Sequence, residues 1–382
     1  MAGPVRKVVR LLHLWLGLIS GLVVVVLCLS GAMVAFFEEA IIIANREHLY
    51  VEKQDKPRAS IEAIRENYER QYPNETLFVI NSYREENRAY DFFSAVQTDE
   101  DTFGGYKMVY ANPYTGEIIH VDRGTLEFIV VLLNVHTSLL LGEAGHWIIK
   151  GTTIVFLLQL IGGIILWWPT SLNAARSAFS LKLPASTKRL NYDMHRVLGF
   201  YASWVLLVVV TTGIFMAFRG VRDPITDVLG GKSALIGTEP PASVYQSNRA
   251  TVTYQAIANR LYEDDLSIQQ VCFLIPEHDT TTVIKGRTNT QVAFLTFEVG
   301  QRFQFDKYTG QRSEGRNEYY RARNDAILAG SLLIHMGLWG GVPTKLLALL
   351  VGLFGASLPV TGFLIWRNRI KSRRLRAFRV AS

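Results

Sequence analysis

The sequence predicts an α-helical integral membrane protein: a four-helix transmembrane bundle with a pseudo-two-fold repeat, carrying two small α+β domains outside the membrane. Three observations predict it. Four windows of the 382-residue chain, 14–37, 147–168, 197–218 and 346–366, carry almost no charge, and each reaches the roughly 20 residues needed to cross a hydrocarbon core of about 30 Å. The two long segments between windows one and two, and between three and four, follow the same course of one helix and several short strands. Four of the eight histidines stand at matching positions in the two halves.

The first window follows Arg6, Lys7 and Arg10, is longer than a signal-peptide core and lacks an Ala-x-Ala cleavage pattern, so a retained helix is expected. In the second, only Lys150 intrudes, near an end where its stem can snorkel. Arg176, Lys182, Lys188 and Arg189 fill the short loop before the third window. After the fourth come Arg367, Arg369, Lys371, Arg373, Arg374, Arg376 and Arg379. Short segments rich in Lys and Arg stay in the cytoplasm, which puts both termini inside and the long segments outside. The net charge of +7 is largely this retention signal. It points to membrane lipids and away from nucleic acid. Cys28 and Cys272 are expected to lie too far apart for a disulfide. The chain has no C-x-x-C-H for covalent haem attachment and no cysteine cluster for iron–sulfur or structural zinc.

In the first outer segment, 60–71 reads as an amphipathic helix with a Ser N-cap. Strands are expected near 76–82, 88–97, 105–111 and 117–121, with the tight turn Asn112-Pro-Tyr-Thr-Gly116 before the last. The second repeats this with a helix near 252–263, strands near 268–275, 280–287 and 292–298, the turn at Asp306-Lys-Tyr-Thr-Gly310 and a final short strand. In both turns glycine supplies positive φ. Pro240-Pro241 and the Gly-rich run from Gly230 mark the loop ahead of the second domain. Apolar stretches at 128–141 and 327–339 are too short to span and are expected as interfacial or re-entrant helices on the outer side. The chain divides accordingly. The segment 1–37 holds the cytoplasmic start and first span, 38–124 the first outer domain, and 125–169 an interfacial helix and the second span. The cytoplasmic loop is 170–190 and the third span 191–218. The second outer domain is 219–324, 325–366 holds an interfacial helix and the fourth span, and 367–382 is a basic tail.

His13 precedes Gly31 by eighteen residues, as His195 precedes Gly213. His136 precedes Gly163 by twenty-seven and Trp167 by thirty-one, as His335 precedes Gly362 and Trp366. Halves that each begin and end inside are parallel repeats about an axis along the membrane normal. Such a dyad brings His13 to His195 near the cytoplasmic face and His136 to His335 near the outer face. Two facing imidazoles on bundle helices are what a bis-histidine b-type haem requires, so two non-covalent haems are expected. Gly17 and Gly199, one helical turn beyond His13 and His195, are expected to make room for porphyrin. A lone histidine at a helix end is more often hydrogen-bonded than a ligand; duplication in register favours ligation. One tetrahedral zinc or copper site would need all four together, which opposite membrane faces forbid. His146, His48, His120 and His278 lack repeat partners and read as structural. Trp167, Trp168 and Trp366 read as interfacial anchors, and Gly162-Gly163, Gly213 and Gly362 as close helix contacts, with clearance for porphyrin as the alternative. Arg219 and Arg222 suit haem propionates, an anionic substrate or lipid headgroups; Trp147 and Trp339 suit substrate or the membrane surface. No G-x-G-x-x-G follows a strand and the cytoplasmic segments are too short for a flavin or nicotinamide domain, so the electron donor is another molecule, cytoplasmic or a quinol. A non-enzymatic scaffold or sensor binding an outer partner stays open. So does an iron or siderophore transporter, although mid-span breaks and midplane charges are missing.

The chain resembles the PepSY-associated transmembrane family over nearly its whole length. The resemblance rests on His13-Leu-Trp-Leu-Gly17, Leu-Asn-Val-His136-Thr-Ser-Leu-Leu-Leu-Gly142, Gly163-Ile-Ile-Leu-Trp-Trp-Pro169, Met-His195-Arg-Val-Leu-Gly199 and the two Tyr-Thr-Gly turns. It implies that the outer domains are PepSY-like and periplasmic, in a bacterial inner membrane. Some members look like di-haem reductases that release iron from ferric siderophores, and this chain is similar to the ferrioxamine-linked type. The resemblance implies His13, His195, His136 and His335 as axial iron ligands and a periplasmic ferric siderophore as substrate.

Overall fold

The computed structural model describes residues 3–99, 102–169, 179, 186–231, 243–246, 249–276, 281–290, 292, 300–312 and 316–381. Pro240-Pro241, His278, Arg176, Lys182 and most of the strand expected near 292–298 lie outside them. By its internal contacts the chain forms two compact units, Met1–Phe36 with Val131–Arg222 and Gly330–Ser382, and Phe37–Val130 with Asp223–Ala329.

The first unit is the bundle. Four of its helices are long and apolar enough to cross a membrane: α1 (Pro4–Val34), α5 (Gly142–Trp167), the run Thr187–Ala217 and the apolar part of α11 (Val342–Ala381). The third of these is composite. α6 (Thr187–Asp193) passes through one π-helical turn, Met194–Leu198, into α7 (Gly199–Ala217). Pro4 starts α1 at a position where its missing N–H costs nothing. α1 packs on α5 and α11, and α7 packs on the same two helices, so α1 and α7 stand diagonally across the bundle. Val24, Phe156, Leu160, Ala202, Leu206, Val210 and Val351 form the dry centre. Their large outward neighbours, such as Ile19, Leu22 and Leu158, are exposed, as lipid-facing positions require. Lys150 lays its ammonium 4.8 Å over the Trp147 ring. Trp167, read as an interfacial anchor, is instead buried and stacked 3.5 Å from Phe200, whereas Trp168 is exposed. Its flat ring fills a helix contact that a smaller residue would leave void.

Two shorter helices end in the bundle unit: α4 (Thr125–Ser138) and α10 (Arg316–His335). α10 starts well before the apolar stretch the sequence delimited, because its polar first half continues the same helix.

In the second unit the helices are α2 (Phe37–Asn45), α3 (Ile61–Gln71), α8 (Arg219–Val228, whose first residues belong to the bundle) and α9 (Tyr254–Asp264). Its strands are β1 (Glu75–Tyr83), β2 (Tyr90–Asp99), β3 (Thr102–Ala111), β4 (Ile118–Asp122), β5 (Gln270–Leu274), β6 (Val283–Asn289) and β7 (Gln301–Asp306). They form one antiparallel sheet in the order β4-β3-β2-β1-β5-β6-β7. The two outer segments, expected as separate domains, are thus joined where β1 pairs β5, Asn81 opposite Cys272. The pairing satisfies backbone groups that two separate sheets would leave as exposed edges.

α3 and α9 cover the sheet. Ile61, Ile64 and Tyr68 from one and Ile257, Ala258 and Leu261 from the other meet Phe92, Val109, Phe273 and Phe305. Ser60 and Thr253 cap these helices, accepting from Ala63 N and Ala256 N. In the two turns, Asn112 Oδ1 accepts from Tyr114 N at 2.9 Å and Asp306 Oδ1 from Tyr308 N at 3.0 Å, while Gly116 and Gly310 take φ of +73° and +66°. Gly286 on β6 has no such freedom to explain it: a Cβ there would lie 2.2 Å from the Cys272 carbonyl oxygen and 2.4 Å from Phe303 Cζ. Gly286→Ala should therefore destabilise the sheet by about 1–3 kcal/mol, read as a lowered midpoint in thermal unfolding of the detergent-purified protein.

Candidate functional site

The four repeated histidines meet in two pairs. His13 lies on α1 and His195 in the π-helical turn that leads into α7, the diagonal helices of the bundle, with ring centroids 6.4 Å apart. His136 and His335 come from the last turns of α4 and α10, with centroids 6.3 Å apart. Gly31 of α1 touches the His136 ring, and the eighteen residues from His13 to Gly31 amount to about 27 Å of helix at 1.5 Å per residue. The pairs therefore sit at opposite ends of the bundle. Among the described residues no three His, Cys, Asp or Glu side chains converge on one point.

Each ring is seated on a glycine of a neighbouring helix. A Cβ at Gly31 would fall 2.8 Å from His136 Cε1, at Gly213 3.1 Å from His335 Cε1, at Gly362 3.3 Å from His195 Cε1, and at Gly163 3.5 Å from His13 Cε1. The same helices bind the Nδ1 atoms. His136 Nδ1 is 3.1 Å from both Ser30 Oγ and the Leu27 carbonyl. His335 Nδ1 is 2.9 Å from the Val209 carbonyl and 3.2 Å from Thr212 Oγ1. His195 Nδ1 is 2.8 Å from Thr361 Oγ1.

These contacts fix the tautomer. Ser30, Thr212 and Thr361 each donate their single hydroxyl proton to a carbonyl of the preceding turn, at 2.7, 2.9 and 2.8 Å. A hydroxyl so committed, like a carbonyl, can only accept from the imidazole. Nδ1 must therefore carry the proton, and Nε2 is left with its lone pair. His13 is different: its Nδ1 is buried with no hydrogen-bond partner.

The spacing within the pairs has a chemical meaning. A metal midway between two imidazole nitrogens, about 2.0–2.1 Å from each, with ring centres roughly 1.1 Å further back, holds the centroids about 6.3 Å apart. Both pairs match that separation. Facing imidazoles at this separation, three of the four with Nε2 free, are a donor set for an iron porphyrin, and the residues present fit it.

Gly17 and Gly199, expected to clear room beside the histidines, do so for other side chains. A Cβ at Gly17 would lie 3.5 Å from the Gln159 carboxamide, and one at Gly199 3.1 Å from Leu358 Cδ2. The carboxamide in turn donates to the His13 carbonyl at 3.1 Å. The glycines that seat the rings follow His13 and His195 by eighteen residues, and His136 and His335 by twenty-seven. Sequence reasoning noted their register and read Gly163, Gly213 and Gly362 as helix contacts or porphyrin clearance; that they seat the histidine rings was not foreseen, although the pairs Ser30-Gly31, Thr212-Gly213 and Thr361-Gly362 were visible.

The remaining histidines have other surroundings. His48 and His120 stack at 3.9 Å in the sheet unit, where burial and then the neighbouring His48 hold His120 below the usual imidazole range. His146 is exposed, its ring 2.9 Å from the Thr137 carbonyl. Arg219, Trp147 and Trp339 are exposed and Arg222 is half-buried.

The sequence model of the family described as PepSY-associated TM region matches residues 10–369. No curated protein matches the chain.

The ring seats rank the effect of an added methyl. Gly31→Ala must push the His136 ring off its acceptors, whereas Gly163→Ala meets His13 at ordinary contact distance. Thermal unfolding in detergent should show the first variant clearly less stable and the second near wild type.

Proposed function

The chain belongs to the PepSY-associated transmembrane family, and on that footing we propose that it is a membrane-bound one-electron reductase acting on a ferric siderophore. The observation that carries the proposal is the pair of centroid distances, 6.4 and 6.3 Å, together with the Nδ1 acceptors at His136, His335 and His195 that leave Nε2 of those three rings free. His13 with His195, and His136 with His335, would hold two non-covalent b-type haems. When bound, a haem supplies an iron that cycles between its ferric and ferrous states.

The chain's own residues do the rest. Two histidines at each site would leave a bound haem iron no open position, which favours electron transfer over oxygen binding. Helix glycines and Nδ1 acceptors hold the rings rigid, so that little rearrangement accompanies a change of charge. Val24, Phe156, Leu160, Leu206 and Val351 keep water from the centre of the bundle. The basic residues at both ends of the chain and beside α6 favour cytoplasmic termini in a bacterial inner membrane, with the sheet unit periplasmic and the two halves related by a pseudo-two-fold axis. An electron leaving the cytoplasm then moves with a membrane potential that is negative inside, worth about 2.3 kcal/mol per 100 mV.

The substrate class is a hydroxamate siderophore, ferrioxamine among them. Hard oxygen ligands hold Fe(III) far more tightly than Fe(II), so one electron releases the metal and leaves the chelator whole. The electron donor is a separate molecule, a cytoplasmic reductant or a quinol.

Pyridine-haemochrome quantification of the purified protein should give two haems per chain, with His13→Ala and His335→Ala each retaining one. Dithionite-reduced protein should be reoxidised by ferrioxamine. A colourless protein would leave the scaffold or sensor reading, and stable reduced haems in the presence of ferrioxamine would remove the substrate while keeping the cofactors.

A further inference from the structure

Resting on the di-haem reading, we infer that the two histidine pairs are chemically unequal and that Gly162 sets the difference. At three of the four histidines the residue just before the ring-seating glycine carries a hydroxyl: Ser30 before Gly31, Thr212 before Gly213 and Thr361 before Gly362. Each of these hydroxyls accepts from a histidine Nδ1, at 3.1, 3.2 and 2.8 Å. At His13 the corresponding residue, before Gly163, is Gly162. No side chain is there to accept, and His13 Nδ1 is buried without a hydrogen-bond partner. The Gln159 backbone carbonyl lies beside it but makes no hydrogen bond of normal geometry.

An acceptor on Nδ1–H shifts electron density toward Nε2 and makes the imidazole a stronger ligand. A stronger ligand stabilises Fe(III) more than Fe(II) and lowers the reduction potential. His136 and His335 both have that support; in the other pair only His195 has it. The iron between His13 and His195 therefore accepts its electron, Fe(III) plus one electron giving Fe(II), at the higher potential of the two. His13 is the weakest of the four donors, and Gly162 is a positioning residue that acts through it.

The site has room for the missing group. A Cβ at Gly162 would meet His13 Nδ1 at 3.5 Å and Val9 Cγ1 at 3.6 Å, both ordinary contacts. Gly162→Ser would bring a hydroxyl to Nδ1 in the manner of Ser30, its proton taken by a carbonyl of the preceding turn.

The test is a spectroelectrochemical titration of full-length protein in detergent with dithionite as reductant. Wild type should show two haem waves. Gly162→Ser should lower the higher wave and leave the lower in place; Gly162→Ala, which adds volume without an acceptor, should move neither. Thr212→Val should raise the lower wave alone. A single wild-type wave, or a higher wave unmoved by Gly162→Ser in protein holding two haems, overturns the inference and spares the di-haem reading. Wild-type protein without haem overturns both. If Gly162→Ser fails to load, Thr361→Val decides: it must raise the higher wave, and a rise in the lower wave is a refutation.

Discussion

The bundle is organised around a hydrogen bond from a buried imidazole to the backbone of the helix beside it. A neutral histidine in a dry helix packing has one donor and one acceptor nitrogen, and leaving either unmet costs about 1–3 kcal/mol. Here the donor is met by carbonyls and hydroxyls of α1, α7 and α11, at Leu27 and Ser30, Val209 and Thr212, and Thr361. That choice requires close approach of ring to helix, which is why a glycine lies under every ring. It also leaves Nε2 of the His136, His335 and His195 rings with its lone pair. The diagonal placement of α1 and α7, the short helices α4 and α10 and the positions of the glycines all serve that geometry.

Much of this was legible in the sequence. The spans followed from charge-free length, and the pairing of His13 with His195 and of His136 with His335 followed from register alone. The seats did not. Gly17 and Gly199, one turn from their histidines, looked like the cleared space, yet they receive Gln159 and Leu358 from other helices. Sequence spacing reports neighbours along one helix; the ring of His136 is seated by α1, more than a hundred residues earlier in the chain. The π-helical turn at Met194–Leu198 was equally invisible, since Met-His-Arg-Val-Leu is an ordinary helical composition. His195 lies in that turn and meets Thr361 of α11, and such irregularities are common at functional sites.

The sheet unit taught a different lesson. Its helices, caps and Asx turns were readable because each is local: Ser60, Thr253, Asn112 and Asp306 act on groups two or three residues away. The joining of β1 to β5 was not, because strand partners are chosen by backbone groups that every sequence possesses.

That seam has a bearing on how the molecule is made. β1 leaves the ribosome long before β5, with all of α5, α6 and α7 still to be synthesised between them. Until β5 arrives, the Asn81 side of β1 is an open strand edge of the sort that invites wrong partners. The closing contact joins residues almost two hundred positions apart, and such contacts form slowly. Biogenesis must therefore shelter a half-finished sheet while the later apolar helices enter the lipid. The vulnerable moment of this protein falls before His335 has been made to face His136.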